Sequence, residues 1–559
     1  MSELAAAPDQ SLSSARLRAL GGARLWPWLT LALVWLFLNL TLNATFPAST
    51  DFGAWLRPSW EVALLFAGYA GWLSWRGGVS RTTHGAIAVV LVLVRLFRFV
   101  DGCYSYFFHR PFKLAVDLPL LPESIRLLVT TDGLSMALLQ VGAGLVLLAA
   151  MGWLSFHALC LLERALGSLL RAGQRPRRQP VSRASLGVCM LVGAGAMPLV
   201  EADAAPGLMQ RLYTETLFFV EYPELRRGML DHFRRVATAR EQAPHGLEVL
   251  RGRNVSLILI ESYGRGALDS STHQREIDGA LTRLGERLAE RRLGVASAWL
   301  APPTYGGGSW FAHATLTTGV KVWLPLDYDL LLASDVVPLS RFMQRAGYST
   351  LNVMPGTTRA WPQGDFYGFD QNLYAKDFEY AGPWLSWGRF PDQYVLDHVR
   401  RCCAARSGLY KELKLVSSHV PWRAVPPLLD DWDSIRDGAI YHRAAGTREY
   451  SMKWSNLKQA HDPYIASIVY DLDVVGDYIR RFETPDTLVF ILGDHQPVKE
   501  ASRSDAWDVP IHVAGPEDLV ARFQGNGGFG PGLRPPVDAK PLPMEQFLPL
   551  FLQSLSEPK

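Results

Sequence analysis

The chain has 559 residues and a formal charge of +3, from 56 Lys and Arg against 53 Asp and Glu. That near balance excludes a chain built around nucleic-acid binding, which carries a strongly basic patch. A composition of 48% hydrophobic and 19% charged residues excludes intrinsic disorder, and five cysteines are too few for a disulfide framework at this length.

Length alone suggests about three to four domains at roughly 150 residues each. The mean hydropathy of +0.05 averages two unlike parts. The first 200 residues hold apolar runs at Trp26–Leu42, Trp60–Trp75, Ala86–Phe107, Ile125–Leu162 and Ser185–Val200. Trp26–Leu42 carries no charge and is about as long as a ~30 Å hydrocarbon core requires. Polar loops separate the runs, so five membrane spans are expected. Ile125–Leu162 exceeds one span, and only part of it would cross.

Lys and Arg bias in short loops sets orientation. Arg16, Arg18 and Arg24 precede the first run, and Arg76 and Arg81 flank the second loop. Arg164, Arg171, Arg175, Arg177, Arg178 and Arg183 crowd the fourth loop. These positions alternate along the chain, so they share the cytoplasmic side, and everything after about residue 202 lies outside. Met1–Gly22 lacks the basic start and short apolar core of a cleaved signal peptide. Arg95, Arg98 and Asp101 lie late in the third run. Ionisable groups at that depth either mark function or reach the interface by snorkelling, and both readings stay open.

Residues 203–250 mix apolar and basic residues at helical spacing. They read as a helical connector, lying on the outer membrane surface or packed as a linker. The expected organisation is a cytoplasmic tail at 1–25, a five-helix membrane domain at 26–202, the linker at 203–250 and a catalytic domain at 251–559.

In the last part, Asn254–Ile260 is a short apolar run rich in β-branched residues and ends at Glu261. It reads as a buried strand of a parallel sheet, with a carboxylate at the strand end where α/β sheets hold ligands. Thr487–Leu492 repeats the pattern and runs into Gly493, Asp494 and His495. A carboxylate beside an imidazole suits Zn²⁺ or Mn²⁺. Amphipathic stretches at Pro338–Ala346 and Ile465–Arg480 alternate with short runs such as Leu413–Val416, which leads to Ser417, Ser418 and His419. The alternation predicts an α/β domain with a mostly parallel sheet flanked by helices. Between these sites, Gly306, Gly307, Gly308 and Ser309 open a helical stretch. Taken alone, that segment makes Ser309 an N-cap. It also admits a nucleophile beside an anion-favouring helix start.

The ordered set NVSLILIES, GGGS 48 residues after the Glu, SSHVPW and ILGDHQP resembles the alkaline phosphatase superfamily. The closest resemblance is to its sulfatase-like branch of lipoteichoic acid synthases and phosphoethanolamine or phosphoglycerol transferases. That resemblance implies five spans, a helical linker and an extracytoplasmic alkaline-phosphatase-like domain in a bacterial inner membrane. It also implies one divalent metal ion (Mn, Zn or Mg) on Glu261, Ser309, Asp494 and His495, with Ser309 as nucleophile and His419 beside the transferred phosphate. A membrane phospholipid would be the donor and an envelope glycan or lipid the acceptor. The alternatives are a phosphodiesterase using water and a non-catalytic scaffold.

The glycerol-phosphate grip of lipoteichoic acid synthases corresponds to Met354–Tyr367. Trp361 is retained, but Met354 replaces a His and Gln363 an Arg, which argues against a polyglycerol phosphate substrate. Arg359 and His313, the latter one helical turn past Ser309, complete the candidate substrate contacts. Cys402–Arg406 only superficially resembles a sulfatase formylglycine motif: Ala replaces Pro, and it follows Glu261 by 141 residues.

Overall fold

The computed structural model describes residues 10–49, 52–56, 58–120, 122, 129, 133–172, 207–242, 247–359, 361–385, 387–402, 407–450 and 454–556. They divide into two compact units. The first comprises Met1–Tyr106, Arg110–Leu114 and Leu134–Val220; the second comprises Phe107–His109, Ala115–Gly133 and Glu221–Lys559.

The first unit is helical. Its main helices are α1 (Gln10–Asn43), α2 (Trp60–Arg76), α3 (Arg81–Phe108) and α4 (Leu134–Ala172), and it includes the start of α5 (Leu208–Gln242). Leu38, Val62, Leu159, Leu162 and Leu166 anchor its apolar cluster. Buried Asn39 accepts from Ser59 N at 2.8 Å and donates to Trp55 O at 3.0 Å, fixing the turn before α2. Two helical segments are long and apolar enough to cross a membrane, Leu25–Asn43 and Leu134–Arg171.

Among the described residues only these two qualify, so the expected five spans are not confirmed. The second run folds as a helix of 17 residues, and the third carries Arg95, Arg98 and Asp101 in its later half. Full crossing takes about 20 predominantly apolar residues, within a range of about 17–25. The expected fifth run lies outside the described residues. Arg164 and Arg171 fall inside α4 rather than in a loop. The connector region does fold as a helix, α5, and the boundary between units falls within it after Val220.

The second unit is built on a mixed nine-stranded sheet. Its strands are β1 (Val255–Ile260), β2 (Gly294–Ala301), β3 (Ser349–Met354), β4 (Gln371–Tyr374), β5 (Leu409–Leu415), β8 (Leu488–Gly493), β9 (Val509–Gly515), β10 (Gly530–Pro531) and β11 (Leu542–Pro543). A separate two-stranded sheet pairs β6 (Ala424–Val425) with β7 (Arg448–Glu449). The large sheet runs β10-β2-β9-β8-β1-β5-β3-β4, with β11 on β2. The block β8-β1-β5-β3-β4 is parallel, and β9 is antiparallel to both β8 and β2. Hence β2 points the same way as β1 and β8.

Both faces of the sheet are covered. Ile258 and Ile260 of β1 and Val489 and Ile491 of β8 join one apolar cluster. Leu257, Leu259, Phe490 and Leu492 join the other. That two-sided burial is why these strands are continuous apolar runs. The helices α6 (Gln274–Glu290), α7 (Ser309–Thr318), α8 (Asp392–Cys402), α9 (His461–Phe482) and α10 (Phe547–Leu555) supply much of the cover.

Candidate active site

Sheet register assembles the site. Ile260 at the end of β1 pairs with Leu415 of β5 on one side and Gly493 of β8 on the other. The three strands end level, so Glu261, the Val416–His419 turn and Asp494–His495 emerge at one edge. The chain after β2 reaches the same edge, because that strand shares their direction, and continues through the glycines to α7.

Those glycines carry the backbone where a side chain is disfavoured. Gly306, Gly307 and Gly308 have φ of 69°, 152° and 81°. Gly308, not Ser309, caps α7. The reading of Ser309 as N-cap is therefore corrected. As the first residue of the helix, it aims its hydroxyl elsewhere, donating to Glu261 Oε2 at 3.0 Å with His495 Nε2 3.1 Å away.

Glu261, Asp494 and His495 are buried, and one ligand atom from each lies within 4.8 Å of the others. His495 Nε2 sits 3.3 Å from Glu261 Oε1 and 3.6 Å from Asp494 Oδ2. Asp494 Oδ1 accepts from Ser262 N and His495 N, both at 2.8 Å. His495 Nδ1 contacts Gln496 O at 2.8 Å, which leaves Nε2 as the atom facing the cluster. Asp494 Oδ2 is buried without a hydrogen-bond partner.

The electrostatics follow from crowding two acids in a dry site. Burial, then the Glu261 charge, pushes the Asp494 carboxyl up to about 7. Burial opposes ionisation of Glu261 too, but the charge and hydrogen bond of His495 prevail and hold it well below the usual carboxylate range. Burial works against the His495 cation, yet Asp494 and Glu261 raise it to about 9. Two carboxylates, an imidazole and a hydroxyl with one orphaned carboxylate oxygen form a donor set that fits a divalent cation.

The remaining candidates fall into two groups. His313 lies one turn along α7 from Ser309, with Nε2 3.8 Å from Asp494 Oδ2. Burial, aided by the Lys414 charge, lowers its pKa to about 3 and keeps it neutral. His419 is also held neutral by burial. Its Nδ1 is engaged with Val420 O, and its ring stacks on Trp387 at 4.1 Å and 19°. Trp361 stacks on Tyr367 at 5.3 Å and packs against an apolar cluster. Arg359 is exposed.

Sequence reasoning missed the residues that hold this group in place. Ser262 follows Glu261 with a left-handed φ of 58°, a rare conformation outside glycine. That turn aims its N–H at Asp494 and its hydroxyl at Glu261 Oε1, 3.1 Å away. Tyr464 of α9 pins the turn by donating to Ser262 O at 2.9 Å. Ser418 Oγ donates to Glu261 O at 2.7 Å, tying the His419 turn to β1. The Ser418 tie was legible only as the neighbour of His419; nothing local signalled the other two.

No protein-family model matches the chain, and no curated protein does. Solved structures do. One is a protein in the alkaline phosphatase superfamily from Vibrio parahaemolyticus, at 16% identity over 47% of this chain and 60% of that one, with a TM-score of 0.31. A second is the lipoteichoic acid synthase LtaP from Listeria monocytogenes, at 15% identity, 48% and 66% coverage and a TM-score of 0.33. A third is the periplasmic domain of EptC from Escherichia coli in complex with Zn, at 17% identity, 48% and 73% coverage and a TM-score of 0.33. The chain thus spans less than two thirds of the first two. These structural neighbours thus include a protein in the alkaline phosphatase superfamily and a lipoteichoic acid synthase.

Proposed function

We propose that the chain is a membrane-anchored transferase that moves a phospho-head-group, of phosphoglycerol or phosphoethanolamine type, from a phospholipid to an envelope glycan or lipid. One observation carries the reading: a helix-start hydroxyl, Ser309 Oγ, is hydrogen-bonded to Glu261 and lies 3.1 Å from His495 beside the orphaned oxygen of Asp494. Glu261, Asp494, His495 and Ser309 would hold the metal. Once bound, a divalent cation neutralises the carboxylates, lowers the pKa of the serine hydroxyl and stabilises charge on phosphate.

In the first step Ser309 Oγ bonds to phosphorus, and the bond from phosphorus to the lipid alcohol breaks. The proton that Ser309 loses is the one the departing alcohol gains. His419 is suited to carry it, being neutral at rest with Nδ1 engaged at Val420 O, so that Nε2 exchanges the proton. An acceptor hydroxyl then bonds to phosphorus and releases Ser309, which regains a proton. The start of α7 adds N–H donors toward phosphate oxygens. His313, Trp361 and Arg359 are assigned to the substrate side. The two apolar helices anchor the chain in a bacterial inner membrane, with the catalytic unit outside.

The test is mass spectrometry of Ser309 after incubating the full chain with head-group-labelled phospholipid. An adduct of head-group mass, followed by label on an envelope glycan or lipid, is expected. Ser309→Ala should abolish both, with a rate loss of about three orders of magnitude or more. Label found only as released head group would make the enzyme a hydrolase.

A further inference from the structure

The glycine loop before Ser309 has a partner from far upstream in the sequence. Phe107–His109, at and just past the end of α3, belong to the second unit. A Cβ on Gly306 would collide with the main-chain oxygen of Phe107. A Cβ on Gly307 would stand 3.2 Å from the Phe108 ring. The His109 ring lies over Tyr305, with centroids 3.9 Å apart and planes at 33°. It also meets Trp507 edge-on at 6.1 Å. Three consecutive residues thus cover three consecutive loop residues.

The loop needs such holding. Gly306, Gly307 and Gly308 all have positive φ, and glycine leaves a chain more conformations than any other residue. Ser309 follows at once, and misplacing a reacting group by about 1 Å can cost about a hundredfold in rate. One tether is Gly306 N, which donates to Gln496 O at 2.9 Å. The same carbonyl engages His495 Nδ1 at 2.8 Å, so the loop and the cluster share an atom. Tyr305, under the His109 ring, is fully buried, and its hydroxyl contacts Ser504 O at 3.3 Å. His109 holds a left-handed φ of 51°, which persists at a non-glycine residue only where the surroundings fix it. The ring on Tyr305 and the oxygen against Gly306 add a second tether to the loop.

We propose that His109 is a positioning residue for Ser309, acting through Tyr305 and the glycine loop. The proposal rests on Ser309 as the nucleophile, whether the phosphate then passes to a glycan, a lipid or water. The test compares wild type, His109→Ala and His109→Phe as full chains in detergent. Hydrogen exchange by mass spectrometry reads residues 304–310. Head-group-labelled phospholipid gives kcat and KM for transfer plus release. His109 is exposed, so trimming it spares the core. His109→Ala should speed exchange at 304–310 about three- to tenfold, the worth of one ring stack, and leave exchange across β1 and β8 unchanged. Its kcat should fall about tenfold, with KM within about twofold of wild type. His109→Phe keeps the ring and should restore both exchange and kcat. In a Tyr305→Leu background, His109→Ala should cost no more than about twofold further, because the contact is already gone. Unchanged exchange and kcat in His109→Ala would overturn the proposal, as would a rise in KM alone or faster exchange throughout the unit. His109→Phe as slow as His109→Ala would overturn it too, since the stack would then not be the cause. A wild type that neither transfers nor releases head group would sink the transferase reading, while exchange at 304–310 would still decide the positioning.

Discussion

Acid should weaken the second unit through His512. This residue sits on β9, fully buried. Ser297 Oγ donates its one proton to Gly532 O at 2.6 Å, so it accepts from His512 Nδ1 at 2.7 Å. Nε2 is then the ring's acceptor and takes the Tyr263 hydroxyl at 3.1 Å. A second proton would have to enter at Nε2, against a donor already in place, with no carboxylate to offset it. Burial accordingly lowers the His512 pKa to about 3. An unfolded imidazole titrates near about 6.5. Between those values the unfolded chain binds a proton that the folded chain refuses. Stability from this group is therefore whole above about pH 6.5 and declines as the pH falls toward the folded value. Each pH unit is worth about 1.4 kcal/mol, so at pH 5 the loss is about 2 kcal/mol. The assay is guanidinium unfolding of the full chain in detergent at pH 7 and pH 5, for the wild type and His512→Gln. Glutamine does not titrate, so the wild-type advantage over the variant should shrink by about 2 kcal/mol between the two pH values. An advantage that stays constant would refute the burial argument.

Three further outcomes are expected. A Cβ on Gly493 would lie 1.8 Å from Tyr263 O, a main-chain atom that cannot step aside. Gly493→Ala should therefore displace Asp494, cost about 1–3 kcal/mol of stability and weaken Zn²⁺ binding in calorimetry. Metal affinity should fall with acid, because protons held near 7 on Asp494 and near 9 on His495 must leave before those groups can ligate. Titration with Zn²⁺ should lose about tenfold per pH unit between those values and more steeply below, and a pH-independent affinity would exclude these ligands. Lys411 and Glu483 form a buried pair at 2.5 Å. Lys411→Met should destabilise by about 3–5 kcal/mol in denaturant unfolding, and adding Glu483→Gln should recover much of that loss.

The sequence made β1 and β8 legible because a strand covered on both faces must be apolar throughout. The residues that end such strands are where ligands sit, so Glu261, Asp494 and His495 stood out. The same logic undercounted β5. Only its end, Leu413–Val416, read as a strand, yet pairing starts at Leu409. Lys411, Glu412 and Lys414 broke the apolar pattern. In the fold all three are buried, with Lys414 bonded to Glu412 and to Asn352, each at 2.6 Å. The role of Ser309 was obscured for a different reason. A serine after glycines is an ordinary helix start, and only the approach of Glu261 and His495 from other strands separates a cap from a candidate nucleophile. Ser262 was invisible because a left-handed turn at a non-glycine residue has no local signature.

The same physical cause acts in both units. Hydropathy treats a charge as an argument against burial, which holds for a charge alone. Lys411 is answered by Glu483, 72 residues away in sequence. Asp101, late in an apolar run, is answered by Arg211 at a separation of 110. In each case the partner removes most of the cost that the local sequence advertises. Charges inside an apolar run therefore carry two opposite meanings, and the partner decides between them. At β5 the partners balance and the charges serve the strand. At Asp101 the partner comes from another helix of the same unit, and the charge serves the packing between them.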